Sequence, residues 1–291
     1  TKVLTFFFLK ILGKQIFKNL RKKEYKMNNK NIISANETMD AYKKEVLTLK
    51  PTTTYFHRLL MQTEAVTKFL KTDILVFKEN CVNRVFIEGY SNHKIGIMNF
   101  ASPIVAGGGF LNGASAQEEA ICRASYLYPE LANCQQYYKI NRAIDFTSHT
   151  CGLIYSENIK FVKAEIEGEE RFVKPVFADV ITVAAPQNLS QNSTDMKIKR
   201  ELNEKIVQTL RQFKVHQIEV LVLGAFGCGV FKNSPKLVAQ LFQKNLESDE
   251  FKHYFKKIIF STYLPNYTEF KPLMNANEEQ NLELLKKNLI A

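Results

Sequence analysis

The sequence predicts an α/β fold, a three-layer α/β/α sandwich around a mixed, largely parallel central sheet, with an N-terminal helical extension. Three observations carry this expectation. Short runs rich in branched and aromatic residues alternate with longer segments whose apolar residues recur at helical spacing. The later runs, FADVITVA at 177–184 and IEVLVL at 218–223, are nearly continuous apolar stretches, as strands covered on both faces require. Two glycine-rich segments, 107–109 and 224–229, follow such runs, as loops at the carboxyl edge of a parallel sheet do.

In chain order, residues 34–70 read as helical, with Ser34, Asn36 and Thr38 as candidate caps and Pro51 as the main breaker. Strands are expected at 74–77, 84–87 and 94–100. After the first glycine segment a helix is expected over 115–127. A strand at 177–184, a polar loop at 186–194 and a helix at 196–213 follow. The strand at 218–223 leads into the second glycine segment, then a helix at 235–246 and a last strand at 257–263. The chain shows no internal repeat and no Pro-Gly linker. The expected organisation is therefore a basic leader (1–30), a helical extension (31–72), one core domain (73–275) and a C-terminal helix (276–291).

The 291 residues are 45% hydrophobic, enough for a sizeable core. The formal net charge is +11. Residues 1–26 hold eight Lys or Arg and one Glu, so +7 lies there and only +4 in the rest. A nearly balanced body argues against a broad nucleic-acid-binding face. The leader is expected to be disordered, a transit segment or an artefact upstream of Met27, and to lie outside the fold. No other segment approaches transmembrane length. The five cysteines, Cys81, Cys122, Cys134, Cys151 and Cys228, form no CxxC pair, and no HExxH occurs. Reduced cysteines and no metal site are expected.

The first chemical candidate runs from Asn99 through Gly107, Gly108 and Gly109 to Gln117, Glu118 and Glu119. Three glycines in a row let a ligand press against the backbone; alternatively they make a flexible turn. Ser115 and Glu118 have the spacing of a capping box, which would give Glu118 a structural task. Glu119 has no such task, and reads either as part of a charged surface or as a functional acid. The helix start would supply further N–H donors for an anion.

The second candidate is Gly224-Ala225-Phe226-Gly227-Cys228-Gly229-Val230-Phe231, an apolar strand running into a glycine loop that opens a helix. Such loops cradle diphosphates with backbone amides. It lacks the Gly-Lys-Ser/Thr of a P-loop and the glycine order of a dinucleotide fingerprint. Phe226 and Phe231 read either as core packing or as stacking surfaces for a ribose or base. Cys228 lies where a helix start could lower a thiol pKa, but no partner base is identifiable. Two such loops suggest one elongated ligand with a central diphosphate, and a carboxylate beside one end fits glycoside chemistry.

These residues resemble the microbial-type poly(ADP-ribose) glycohydrolases, a branch of the macrodomain fold. The signature is Gly107-Gly108-Gly109, seven intervening residues, then Gln117-Glu118-Glu119. The likeness extends to Asn99-Phe-Ala-Ser, Cys122-Arg-Ala-Ser with Leu127-Tyr-Pro, Val180-Ile-Thr with Ala185-Pro186, and the 224–233 loop. It spans roughly residues 35–270, with Phe226 where the family often has Trp. The resemblance implies a macrodomain-like core that cleaves ribose–ribose glycosidic bonds and releases ADP-ribose, with neither metal nor cofactor. It implies that Glu119 is the acid and base, that Glu118 binds ribose hydroxyls, that Gln117 supports the loop and that Asn99 meets the distal ribose. Gly224 to Phe231 would wrap the diphosphate, with Phe231 against the terminal ribose. The implied partners are poly(ADP-ribose) or ADP-ribosylated proteins, with no membrane and no direct nucleic-acid contact. The expected protein is an intracellular monomer, cytoplasmic or nuclear, or mitochondrial if the leader is a transit segment. The rival readings are a hydrolase of single ADP-ribose groups on protein or nucleic acid, and a non-catalytic ADP-ribose reader.

Overall fold

Alternation along the buried strands sends successive side chains to opposite faces of one sheet. The computed structural model of the chain describes residues 28–144, 152–190, 195–263 and 265–273. Seven strands build the sheet: β1 (Thr52–Phe56), β2 (Asp73–Lys78), β3 (Ile95–Phe100), β4 (Leu153–Ile166), β5 (Glu169–Val183), β6 (Val220–Leu223) and β7 (Lys257–Thr262). Their order is β1-β4-β5-β3-β6-β7-β2. The β1–β4 and β4–β5 pairs are antiparallel, and the other four are parallel. The helices are α1 (28–45), α2 (Cys81–Gly89), α3 (Gln117–Ala124), α4 (Leu127–Asn133), α5 (Gln135–Arg142), α6 (Met196–Val215), α7 (Pro235–Leu246) and α8 (Asn266–Phe270).

Two apolar cores lie on the two faces. Ile95, Ile97, Val220 and Val222 pack with residues of α1 to α5. Met98, Ile181, Val183, Leu221 and Leu223 pack with α6, α7 and α8. The expected three-layer sandwich with a mixed, mostly parallel sheet is therefore the observed architecture.

Several local expectations are corrected. Residues 84–87 are helical and not a strand. Asn80 caps α2 by accepting the Val82 N–H at 2.9 Å, and the buried Val82, Val85 and Phe86 follow helical spacing. The helix expected over 34–70 ends at 45. After Pro51, the β-branched and aromatic run Thr52–Phe56 instead pairs with β4 as an edge strand. The extension expected over 31–72 is thus a helix, a strand of the main sheet and an irregular strap. The leader boundary at 30 also shifts, because residues 28–30 already belong to α1. The long β4–β5 hairpin was foreseen only at its end. Glu167 and Gly168 turn it with positive φ of 54° and 78°, as a tight two-residue hairpin loop requires. The helix expected at 276–291 lies outside the described residues, as do most of the leader and Cys151.

Gly96 on β3 sets how closely α6 approaches the sheet. A Cβ there would clash with the Phe213 ring, lying 2.7 Å from Cδ1. Phe213 is fully buried and has no room to withdraw. Gly96→Val is expected to destabilise the fold by about 1–3 kcal/mol through overpacking. Urea unfolding checks this, as a lower midpoint with an unchanged slope.

Candidate active site

Three parallel neighbours, β5, β3 and β6, end side by side, so the segments that follow them share one edge of the sheet. Those segments are 184–190, 101–116 and 224–234. Both glycine loops stand at this carboxyl edge, as the sequence implies.

Gln117 fastens α3 to the end of β3. Its side chain donates to the Met98 carbonyl at 2.7 Å and accepts the Phe100 N–H at 2.8 Å. The amide thus imitates one more step of sheet pairing and fixes the first turn of the helix. Glu118, the next residue, turns its carboxylate toward the strand end. It accepts the Ser102 N–H at 2.6 Å and the Asn99 side-chain amide at 3.3 Å. Asn99 also donates to Thr182, its cross-strand neighbour on β5, at 3.1 Å.

Glu119 faces the triple-glycine loop. Its Oε1 accepts the Gly109 N–H at 2.8 Å, while its buried Oε2 has no hydrogen-bond partner among the described residues. Gly107 and Gly108 have positive φ, 67° and 56°. A Cβ on Gly108 would run into Glu119 Oε1 and come within 3.1 Å of Glu118 Oε2. The loop therefore needs glycine to admit both carboxylates. Two of its amides are spent inside the protein: Gly109 on Glu119 and Gly108 on the Val105 carbonyl. These two amides are therefore not free for an anion.

The capping box is also absent. The N-cap of α3 is Ala116, with no side-chain cap, and Glu118 reaches Ser102 instead of Ser115. The loop and strand end offer the carboxylates better-placed donors than the helix start does.

The second loop is built differently. Asn233 ties it down, donating to the Pro186 carbonyl at 2.8 Å and the Gly227 carbonyl at 3.1 Å. The Asn188 N–H donates to the Phe231 carbonyl at 2.9 Å, a second tie to the segment after β5. Among the described residues, the N–H groups of Gly227, Gly229 and Val230 donate to no protein acceptor. Val230 is 81% exposed, and a Cβ on Gly229 would meet nothing within 4 Å. These unspent amides stand where the glycine spacing suggests an anion site.

The structure brings Asn99, Gly107–Gly109, Gln117, Glu118 and Glu119 into one cluster, with the 224–231 loop on the adjoining strand end. Two side chains behave otherwise. Phe226 is fully buried and packs on Phe100 at 5.7 Å between ring centres, so its ring belongs to the core and not to a stacking surface. Burial pushes the Cys228 thiol up to about 12, opposite to an activated nucleophile. Sequence reasoning missed Ser102, Thr182, Asn188 and Asn233. Ser102, Thr182 and Asn233 stood inside the motifs, but short polar residues carry little signal of their own.

A family model described as the microbial-type PARG catalytic domain, PARG being poly(ADP-ribose) glycohydrolase, matches residues 13–164. The chain belongs to that family. The matched region opens inside the segment set apart above as a leader, takes in α1 and both glutamates, and ends before the second glycine loop. Similar solved structures agree with this microbial-type PARG along more of its length. The PARG from Thermomonospora curvata is 25% identical, with a TM-score of 0.73 over 83% of this chain and 98% of that one. A PARG from Deinococcus radiodurans, solved in complex with ADP-ribose, is 32% identical, with a TM-score of 0.63 over 71% of this chain and 85% of that one. No curated protein sequence matches the chain.

Burial raises the Glu118 carboxyl of this PARG from its ordinary 4.5 to about 8, and the neighbouring Glu119 charge adds to the rise. The Ser102 N–H and the Asn99 amide pull in the other direction but do not cancel it. The folded state therefore binds a proton that the unfolded chain releases near pH 4.5. That contribution to stability is complete below pH 4.5 and is lost as pH rises toward 8. Thermal melts at pH 5 and pH 8 should show a larger fall for the native protein than for Glu118→Gln, whose side chain does not titrate. An equal fall in both would mean that Glu118 is not the group responsible.

Proposed function

We propose that this glycoside hydrolase of poly(ADP-ribose) works through Glu119 as both general acid and general base. The observation that carries the proposal is the asymmetry of the Glu119 carboxylate. One oxygen is anchored by the Gly109 N–H, and the other is buried without a protein partner. Both oxygens of Glu118 are hydrogen-bonded, to Asn99 and to Ser102, so that residue is held as a support.

Protonated Glu119 gives its proton to the glycosidic oxygen. The carbon–oxygen bond breaks, its electron pair stays on that oxygen, and the departing ribose leaves with a hydroxyl. The anomeric carbon passes through an oxocarbenium-like state. Water attacks that carbon, and ionised Glu119 takes the water's proton, which restores the starting form. Glu118, raised to about 8, holds its own proton at neutral pH beside Glu119.

The free amides at Gly227, Gly229 and Val230 support a diphosphate site, with half-buried Phe231 beside them for the terminal ribose. Poly(ADP-ribose) is the substrate of this reading, and ADP-ribose the released product. A reader of ADP-ribose would need the second loop but not an anchored carboxylate with a bare oxygen.

Glu119→Gln keeps the size of the side chain and loses its proton chemistry. Turnover of labelled polymer should fall by about 10²–10⁴-fold, while calorimetry shows ADP-ribose still bound. A folded variant with near-native cleavage would end the assignment. Separating the products also decides the substrate: free ADP-ribose marks the glycohydrolase, and action on single modifications alone marks the rival hydrolase.

The diphosphate cradle needs a substitution that leaves the protein undisturbed. Gly108 and Gly227 are unsuitable, because a Cβ on either meets protein atoms, for Gly227 the Ala185 Cβ at 2.5 Å. Gly229 faces open space. Gly229→Val should fold normally and weaken ADP-ribose binding by screening the amides. Unchanged affinity by calorimetry would remove this loop from the ligand site.

A further inference from the structure

We infer that α1 positions the catalytic carboxylate, with Asn31 and Thr38 holding the glycine loop and helix α3 from behind. This rests on the assignment of Glu119 above. The contacts form a continuous path. The Asn31 side-chain amide donates to the Gly113 carbonyl at 2.9 Å. Gly113 is left-handed, φ 77°, and a Cβ on it would clash with the Asn28 carbonyl and lie 3.0 Å from the Ile32 side chain. The first turn of α1 therefore rests directly on the backbone that closes the loop. The next residue, Ala114, donates its N–H to the Gly109 carbonyl at 3.1 Å, and the Gly109 N–H holds Glu119.

A second grip lies at the other end of α3. The buried Thr38 hydroxyl donates to the Arg123 carbonyl at 2.5 Å. A third joins the two. Ser34 on α1 donates to Glu170 at 2.5 Å, Glu170 accepts from Arg123 Nε at 2.9 Å, and Arg123 Nη1 donates to the Ala114 carbonyl at 2.7 Å. Buried Lys163 locks Ser34 in place, donating to its carbonyl at 2.8 Å and its hydroxyl at 3.1 Å. The segment carrying Glu119 is thus held before and after the helix by one element. None of these α1 contacts involves the 224–234 loop.

Positioning and general stability separate in kinetics. A misplacement of about 1 Å costs up to 10²-fold in rate, and here it should fall on the chemical step alone. Asn31 is half-buried, so Asn31→Ala should fold. Its kcat on polymer should drop by about 10-fold while KM and the calorimetric affinity for ADP-ribose stay within about twofold. Thr38→Val should behave alike, and Thr38→Ser, which keeps the hydroxyl, should restore most of the loss. The inference is overturned if both folded variants retain kcat within about twofold, or if kcat, KM and ADP-ribose affinity decay together as in general loosening. Glu119→Gln run in parallel separates the two ideas. An active Glu119→Gln sinks the acid assignment, whereas an inactive one beside fully active Asn31→Ala and Thr38→Val sinks only the role of α1.

Discussion

Two carboxylates in consecutive positions, both buried in the first turn of one short helix, are the constraint on which the site depends. An ionised carboxylate removed from water costs several kcal/mol unless it is hydrogen-bonded or takes up a proton. Consecutive helical residues diverge by about 100°, so no single donor group can serve both. Glu118 turns to the end of β3 and finds Ser102 and Asn99, while Glu119 turns to the glycine loop and finds Gly109. The Gln117 clip on β3 fixes the rotation of the helix that makes this division work. Strand end, loop and helix start are thus conditions for one another.

The two glycine loops look alike in sequence and do opposite things. In the first, glycine is needed because protein atoms crowd the backbone, and the Gly108 and Gly109 amides are consumed by a loop carbonyl and by Glu119. In the second, Asn233 and Asn188 hold the loop through its carbonyls and leave a run of amides free. A side chain can meet either a ligand or its own fold, and glycine spacing does not distinguish these cases. The burial of the neighbouring acids does.

Much of the architecture was legible because it rests on periodicity. The runs at 94–100, 218–223 and 257–263 became β3, β6 and β7 within a few residues, and the helices at 196–213 and 235–246 became α6 and α7. The failures share a cause. Residues 84–87 carry strand-type side chains inside a helix set by the Asn80 cap and by packing on both sides. Thr52–Phe56 is an edge strand whose partner lies about a hundred residues away, so no local pattern announces it. In the candidate site, the glycine and Gln-Glu-Glu motifs marked residues that the fold brings together. The asymmetry between Glu118 and Glu119 was not readable, since it depends on which way a loop folds back. The same holds for Phe226, whose aromatic character fits a stacking surface and a core equally well until burial is known.

The balance between the helix start and burial can be settled by magnitude. A helix N-terminus favours the charged form of a nearby carboxylate by about 0.3–1 kcal/mol, and about 2 at most. A tenfold change in proton affinity corresponds to about 1.4 kcal/mol, so the helix end alone shifts proton binding by about thirtyfold at most. The rise of Glu118 from 4.5 to about 8 is more than a thousandfold, in the opposite direction. Burial therefore outweighs the helix end here, even with Ser102 and Asn99 assisting the charged form. The helix start works as a scaffold, presenting two consecutive acids to two different walls. The dry setting at the end of β3 keeps a proton on Glu118 at neutral pH.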